Sequence, residues 1–407
     1  MKRDTEIGND IDKVIIKGNQ PVFGTVYLSG DPISAMFNIL LGAMYKEKFS
    51  VTNVPRSNVI LGFLNILQQI GYEVAWTNEN SLQIKGKEIN NDLTEVFGID
   101  DYDFYEHLLI PLMLKKTLSC YVKSSSRGVI KFYRKFGFDV NINLEDNRCH
   151  IHIPPEIKFE KSFDVRESFG TIIASRLLLK EVIEEMHVIY NENDVRFHQI
   201  DFIKSKPSKK NITIKSSYNQ VEFNLFASIG AISSNEVTIK NFDLAQSLQY
   251  LLSLNDIGVQ YEVSDENSLK IWRESYKFKD EYDYSNRTMS EVAFLLILFS
   301  KFLEKPTQVL VKYFDGLDEF VKSINMIGGR ITYVGNDDYS LLRVNPADIS
   351  PVKISLVDES WNAMHILSGV IANGNTVLDN FRSISDFIPN LIDNLSFLHV
   401  DIKPVKS

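Results

Sequence analysis

The segment Arg166-Glu-Ser168-Phe-Gly170 stands just ahead of an apolar stretch, Thr171 to Leu179, that reads as a helix. A turn of small residues at a helix N-terminus presents unpaired backbone N–H groups, and here Ser168 is placed to cap and Arg166 to pair with a phosphate. The same pattern also belongs to an ordinary capped helix start, and the two readings stand side by side. Lys123 and Arg127 bracket three serines and could reach an anion. His150 and His152 alternate along a strand-like segment, so their rings share one face, but no third ligand lies nearby in sequence and no metal centre is expected. Cys120 and Cys149 sit in alternating apolar segments outside any Cys-x-x-Cys arrangement and read as buried, reduced thiols. The densest basic run, Lys204-Ser-Lys206-Pro-Ser-Lys209-Lys210, contains Pro207 between strand-like segments, as a solvated turn does. The dinucleotide, NTPase, zinc-protease and hydrolase motifs are all missing from the sequence, and no cofactor is expected.

The elements that must position these residues belong to an ordinary globular protein, with 44% apolar and 24% charged residues. A length of 407 residues exceeds what one hydrophobic core usually organises and points to two domains. The net charge of −9 argues against a protein that grips nucleic acid by neutralising phosphates. The longest apolar run, Glu291 to Phe299, is too short for a membrane span and reads as a core helix. The first ten residues are charged, without the apolar core or small-residue cleavage site of a secretory signal, so a cytoplasmic location is expected.

An internal repeat of roughly 50 to 70 residues organises the chain. Each copy runs from an apolar helix to a short alternating strand, then a second helix, a glycine-marked turn and an extended segment. In the first copy these are Ala35 to Met44, Phe49 to Asn53, Leu61 to Ile70 with Gly71, and Tyr72 to Ile84. The fourth copy repeats them from Phe223 through Gly258 to Ile271, and the fifth from Met289 to Gly328-Gly329. The sixth runs from Trp361 to Leu398 and ends at His399 without a glycine, the second from Asp101 to Ile153, and the third, about 164 to 215, is the most eroded. One such unit cannot bury its helices and a sheet face alone, so six copies suggest two packed triples.

Pro21-Val-Phe-Gly-Thr-Val-Tyr-Leu-Ser-Gly30, the apolar helix after it, Asn53-Val-Pro55 and Leu64 to Gly71 together resemble the opening of the enolpyruvyl transferases, with a lean towards the UDP-N-acetylglucosamine branch of peptidoglycan synthesis. The resemblance extends through the repeat over roughly residues 13 to 403. It implies an α/β (α+β) fold of six βαβαββ-type units, three plus three, with helices inside and sheets outside. It also implies one domain at 27–214 and another combining 1–26 with 215–407, with the substrate cleft between them. The activity it implies is transfer of the enolpyruvyl group of phosphoenolpyruvate to a hydroxyl acceptor. Fold alone does not carry activity, so the site positions decide.

Phosphoenolpyruvate is strongly anionic, and a working pocket needs converging cations with acid and base groups. The family's Lys-Asn pair falls on Pro32 and Ile33, which carry no side-chain donor. Its mobile loop is cut down to Lys123-Ser-Ser-Ser-Arg127-Gly, and an Arg at the start of the second unit's first helix becomes Tyr105-Glu106. Its general-base Asp falls on Thr288; Glu291, one turn later, reads as a solvated helix-start glutamate or as a substitute base. Two further arginines map to Gly316 and to Glu359, beside Asp358. A carboxylate at the last position repels the substrate: at an effective dielectric of about 20 and about 4 Å, by on the order of 4 kcal/mol before screening. Arg166, Ser168 and Gly170 resemble the family's diphosphate-holding turn and are the retained element. The expectation is a degenerate relative that binds a nucleotide sugar or other small anion, or that acts as a regulatory protein or partner of an active paralogue in cell-wall metabolism. The alternative is an active transferase with a remodelled site drawing on Lys123, Arg127, Arg287, Glu291 and Arg382.

Overall fold

The computed structural model describes residues 11–86, 94–95, 103–116, 120–123, 134, 139–143, 148–152, 162–164, 170–183, 186–189, 195–265, 267–313, 316–335, 338–356 and 361–405. By contacts the chain divides into two compact units, Gly30–Ser217 and Met1–Ser29 joined with Tyr218–Ser407.

Two strands come first, β1 (Lys13–Lys17) and β2 (Gly24–Tyr27). The unit Gly30–Ser217 then runs α1 (Pro32–Tyr45), β3 (Lys48–Thr52), α2 (Asn58–Ile70), β4 (Tyr72–Asn78), β5 (Ser81–Gly86), β6 (Thr94–Glu95), α3 (Asp103–Lys116), β7 (Cys120–Lys123), β8 (Asp139–Asn143), β9 (Arg148–His152), β10 (Ser162–Asp164), α4 (Gly170–Lys180), β11 (His187–Ile189), α5 (Val195–Lys204) and β12 (Ile212–Lys215). The remainder runs α6 (Gln220–Ile232), β13 (Val237–Lys240), α7 (Leu244–Asp256), β14 (Val259–Asp265), β15 (Ser268–Arg273), β16 (Glu281–Asp283), α8 (Met289–Phe302), β17 (Thr307–Lys312), α9 (Leu317–Met326), β18 (Arg330–Gly335), β19 (Tyr339–Asn345), β20 (Lys353–Ser355), α10 (Met364–Ile371), β21 (Asn375–Asp379), α11 (Arg382–Ser385), α12 (Leu391–Phe397) and β22 (Asp401–Val405).

The first helices of the repeats form the interior of each unit. In one, α1 packs on α3 and α4; in the other, α6, α8 and α10 pack on one another. Their composition requires it: a helix that is apolar on every side is stable only when surrounded. Val292 through Phe299 of α8 are wholly buried. Each such aliphatic or aromatic side chain contributes about 1.5–3 kcal/mol on burial.

The sheets give the repeat its physical form. In every four-stranded sheet an edge strand runs parallel to the strand after the first helix, and two antiparallel strands complete the set. The orders are β12-β3-β5-β4 and β6-β7-β9-β8 in one unit, and β14-β15-β13-β2, β16-β17-β19-β18 and β20-β21-β1-β22 in the other. The third repeat, the eroded one in sequence, forms the parallel pair β10-β11 among the described residues. In most repeats the edge strand directly precedes its own repeat's first helix, as β16 precedes α8 and pairs with β17. The first and fourth repeats exchange theirs: β2 precedes α1 yet pairs with β13, and β12 precedes α6 yet pairs with β3. This exchange carries the chain out of one unit at Ser29 and back into it at Tyr218. In the sixth repeat β1 takes the place that β5 holds in the first, pairing antiparallel with both β21 and β22.

A left-handed asparagine closes three of the central strands. Asn53 follows β3, Asn241 follows β13 and Asn380 follows β21, with φ of 58°, 61° and 54°. Asparagine tolerates this conformation better than other side chains with a Cβ. The amide of Asn53 donates to the carbonyls of Ser216 (3.0 Å) and Ser217 (3.2 Å), and that of Asn380 donates to Leu356 (2.8 Å), the residue just after edge strand β20. Gly30 lies against the same corner, where an added Cβ would stand 1.9 Å from the Asn53 carbonyl oxygen. By contrast Gly71 caps α2 at φ 111° with open space around it.

Gly30→Ala is therefore expected to cost on the order of 3 kcal/mol, because backbone must shift to admit the methyl. Gly71→Ala, strained only by its dihedral, should cost about 1 kcal/mol. Urea unfolding of both variants checks the order; equal effects would mean that the Asn53 corner does not close on Gly30.

Candidate functional site

The positions singled out from sequence fall mainly at helix starts, and at two of these starts side chains cap the backbone. Asp31 caps α1, its Oδ1 accepting from the Ile33 N–H at 2.9 Å, and Pro32 occupies the first helical turn. Proline suits that position because its missing N–H would have no intrahelical partner anyway. Ser34 Oγ accepts from the Ser217 N–H at 3.0 Å. Asp31, Pro32 and Ser34 thus close the start of α1, and the Arg196 guanidinium acts electrostatically on Asp31, whose pKa burial raises.

At α8, Thr288 is the N-cap and Glu291 answers it. The Thr288 N–H donates to Glu291 Oε2 at 2.8 Å, the Thr288 hydroxyl donates to the same oxygen at 3.0 Å, and Thr288 Oγ1 accepts from the Glu291 N–H at 3.3 Å. Glu291 is 7% exposed. The expectation of a solvated glutamate is thereby corrected: the reciprocal capping box draws the carboxylate inward. Burial raises its pKa, against the pull of the Thr288 donors and the Arg287 guanidinium. Arg287 itself is held, Nε donating to Ser253 Oγ at 3.1 Å and Nη1 to Gln249 Oε1. Deeper in the same unit Tyr250 and Ser228 share a hydrogen bond of 2.6 Å, and Ser228 Oγ donates on to the Asn224 carbonyl. Burial pushes the Tyr250 phenol far above its ordinary value. Tyr284 Oη and Ser290 Oγ, both buried, have no hydrogen-bond partner among the described residues.

Gly316 precedes α9 in a left-handed conformation, φ 105°, without a side-chain cap. Arg382 Nε pairs with Asp386 at 3.1 Å within α11 and its following turn. Lys123 ends β7 opposite Arg148 of β9, and Gly170 is the first residue of α4. Arg127, Arg166, Ser168 and Glu359 lie outside the described residues. Cys120 and Cys149 fall on the neighbouring strands β7 and β9, where Cys149 is registered with Val122. His150 and His152 alternate along β9. Among the described residues no group of three or more His, Cys, Asp or Glu is placed to hold a metal ion, and no helix is long and apolar enough to cross a membrane. The basic run after α5 is a turn: Lys204 pairs with Glu181 at 2.7 Å, and Lys46 donates to the carbonyls of Lys206 and Pro207.

Sequence reasoning passed over one group. Glu222, in the first turn of α6, is fully buried. Its Oε2 accepts from the Ser29 N–H (2.8 Å) and the Ser29 hydroxyl (2.7 Å), and its Oε1 from Asn394 Nδ2 (3.0 Å). The signal was present as Asn219-Gln-Val-Glu222, the same cap-to-third-residue spacing as Thr288-Met-Ser-Glu291.

Residues 4–100 match the family pattern of EPSP synthase, 3-phosphoshikimate 1-carboxyvinyltransferase. The whole fold is similar to the enolpyruvyl transferase NikO from Streptomyces tendae, with a TM-score of 0.72 at 14% identity over 96% of this chain and 98% of that one. It is also similar to EPSP synthase from Acinetobacter baumannii, with a TM-score of 0.66 at 12% identity over 96% of this chain and 99% of that one. The chain thus has the fold of the enolpyruvyl transferases, and residues 4–100 match a sequence pattern of the EPSP synthase family. These matches bear on the family as a whole and not on its UDP-sugar branch.

Tyr284→Phe removes a buried hydroxyl that bonds nothing among the described residues, so its stability should be unchanged or slightly raised, whereas Thr288→Ala should lose about 1 kcal/mol with the cap. Thermal or urea unfolding distinguishes the two; a loss of more than about 1 kcal/mol in Tyr284→Phe would reveal a partner for that oxygen.

Proposed function

We propose that this chain is a catalytically degenerate enolpyruvyl-transferase-fold protein that binds a nucleotide sugar or another small anion, or acts as a regulatory partner of an active paralogue in cell-wall metabolism. The observation that carries this reading is the use made of Pro32, Ile33, Thr288 and Gly316. Where the resemblance calls for a cation, an amide and a base, these residues start helices, and their polar neighbours Asp31 and Glu291 are spent on capping. A helix start closed by its own side chains has few N–H groups left to stabilise developing charge. Retained binding would rest on Arg166, Ser168 and Gly170, with Lys123 and Arg127 as further cations.

A second reading, an active transferase with a remodelled site, draws on a single observation. Glu291 is a buried carboxyl with a raised pKa one helical turn from Thr288, and Arg287 lies beside it. Raised carboxyl pKa values suit general acid–base work. The capping box weighs against it, since a base must be free to take a proton.

Phosphate release from phosphoenolpyruvate in the presence of UDP-N-acetylglucosamine or 3-phosphoshikimate tests the choice. The degenerate reading expects no release above the uncatalysed background with either acceptor. Turnover at roughly 1 per second or faster, within the ordinary enzyme range, would establish the second reading, and Glu291→Gln should then abolish it.

A further inference from the structure

A row of outward residues across the fifth repeat's sheet is apolar where the same row of other repeats is polar. β17, β19 and β18 register Leu310 against Leu341, and Leu341 against Val334. In the first repeat's sheet those three places hold Ser50, Gln83 and Ala75, and in the fourth they hold Thr238, Lys270 and Glu262. In the sixth, Val377 and Ile15 are closed off by Lys403. The fold therefore does not require an apolar row here. Val334 is 80% exposed, the most of any large apolar side chain among the described residues, and Leu341 and Tyr339 beside it are 40% and 48% exposed. An apolar stripe open to water across three strands is a surface that association can bury.

We infer that this face is where two copies of the chain meet, around a two-fold axis that runs along the strands over the gap between β17 and β19. Charge selects both the occupant and the axis. The strand order is β16-β17-β19-β18. The β16 flank is acidic, with Glu281 and Asp283 outward, and the half made by β19 and β18 is basic, with Arg343 and Arg330 outward. An axis along the strands sets β16 of each copy against β18 of the other, acid over base on both sides. It also sets Leu310 of each copy against Leu341 of the other. An axis across the strands would set acid on acid. A contact that matches itself in this way is isologous and closes at two copies.

The charges of the two flanks are available for this pairing. Among the described residues no ion pair holds Glu281, Arg330 or Arg343. Asp283 is instead turned to Ser285, accepting from its N–H at 3.0 Å and its hydroxyl at 2.6 Å, which leaves Glu281 as the acid that meets β18 of the other copy. Sheets packed face to face lie about 10 Å apart with strands within about 30° of each other, close enough for the leucines to interdigitate. Four strands about 4.8 Å apart and about 20 Å long offer roughly 400 Å² per copy. Stable complexes bury about 800 Å² per partner, so this contact is weak, with an expected Kd of about 100 μM.

Sedimentation equilibrium of the full chain between about 5 and 500 μM tests the proposal, and the wild type should pass from monomer to dimer with a midpoint of about 100 μM. Val334→Thr combined with Leu341→Thr keeps β-compatible side chains at exposed positions and should weaken association by roughly tenfold. Arg330→Glu and Glu281→Arg should each weaken it several-fold. Combined, they should return it to within about threefold of the wild type, because the swap restores acid over base. Association unchanged in the threonine variant, no recovery in the charge swap, or a species larger than a dimer would overturn the proposal. Urea midpoints check the fold of each variant, and a wild type that stays monomeric throughout overturns it whatever the variants do.

Discussion

The parallel pairing of two exchanged strands is the constraint on which the rest of this structure depends. β2 belongs in sequence to the first repeat and in space to the fourth, while β12 does the reverse. Each exchange completes a four-stranded sheet that would otherwise present an unpaired strand, and an unpaired edge in a half-apolar sheet is a liability. The corners of the exchange are over-determined: Asn53 in a left-handed conformation holds two carbonyls, and Gly30 fits only because it has no Cβ. The Asn53 corner fixes the start of α1, where the resemblance places Pro32 and Ile33.

The side chains at three of the helix starts cap the helices they begin. Asp31 with Pro32 closes α1, Asn219 closes α6, and Thr288 with Glu291 closes α8. Capping satisfies N–H groups that a catalytic site would leave open for substrate oxygens. Of the nearby cations Arg287 is engaged by Gln249 and Ser253 at the start of α8, Arg196 acts on Asp31 at the start of α1, and Arg382 of α11 pairs with Asp386. A dianionic substrate needs convergent positive charge, and the described helix starts offer side chains that already neutralise or bond one another.

Much of the architecture was legible in the sequence because it follows from periodicity. The apolar helices and Gly71 and Gly258 as helix stops correspond to structure. The strand exchange was not legible from residue patterns, since β2 and β12 look like any edge strand and only long-range register assigns their partners. The burial of Glu291 was also missed, because a glutamate in a first turn reads as solvated unless its cap is considered with it. Glu222 shows the same lesson more sharply: its Asn-x-x-Glu spacing predicts a cap, but its bonds to Ser29 and Asn394 come from residues 193 and 172 positions away.

The proposed reading is that the fold of the enolpyruvyl transferases stands here without the charge needed to grip an anionic three-carbon phosphate ester. Isothermal titration of phosphoenolpyruvate into the purified chain tests it most directly. The account predicts no saturable heat up to about 1 mM ligand, which bounds the binding free energy at weaker than about −4 kcal/mol. A saturable isotherm with a Kd near 1 μM, about −8 kcal/mol, would contradict it.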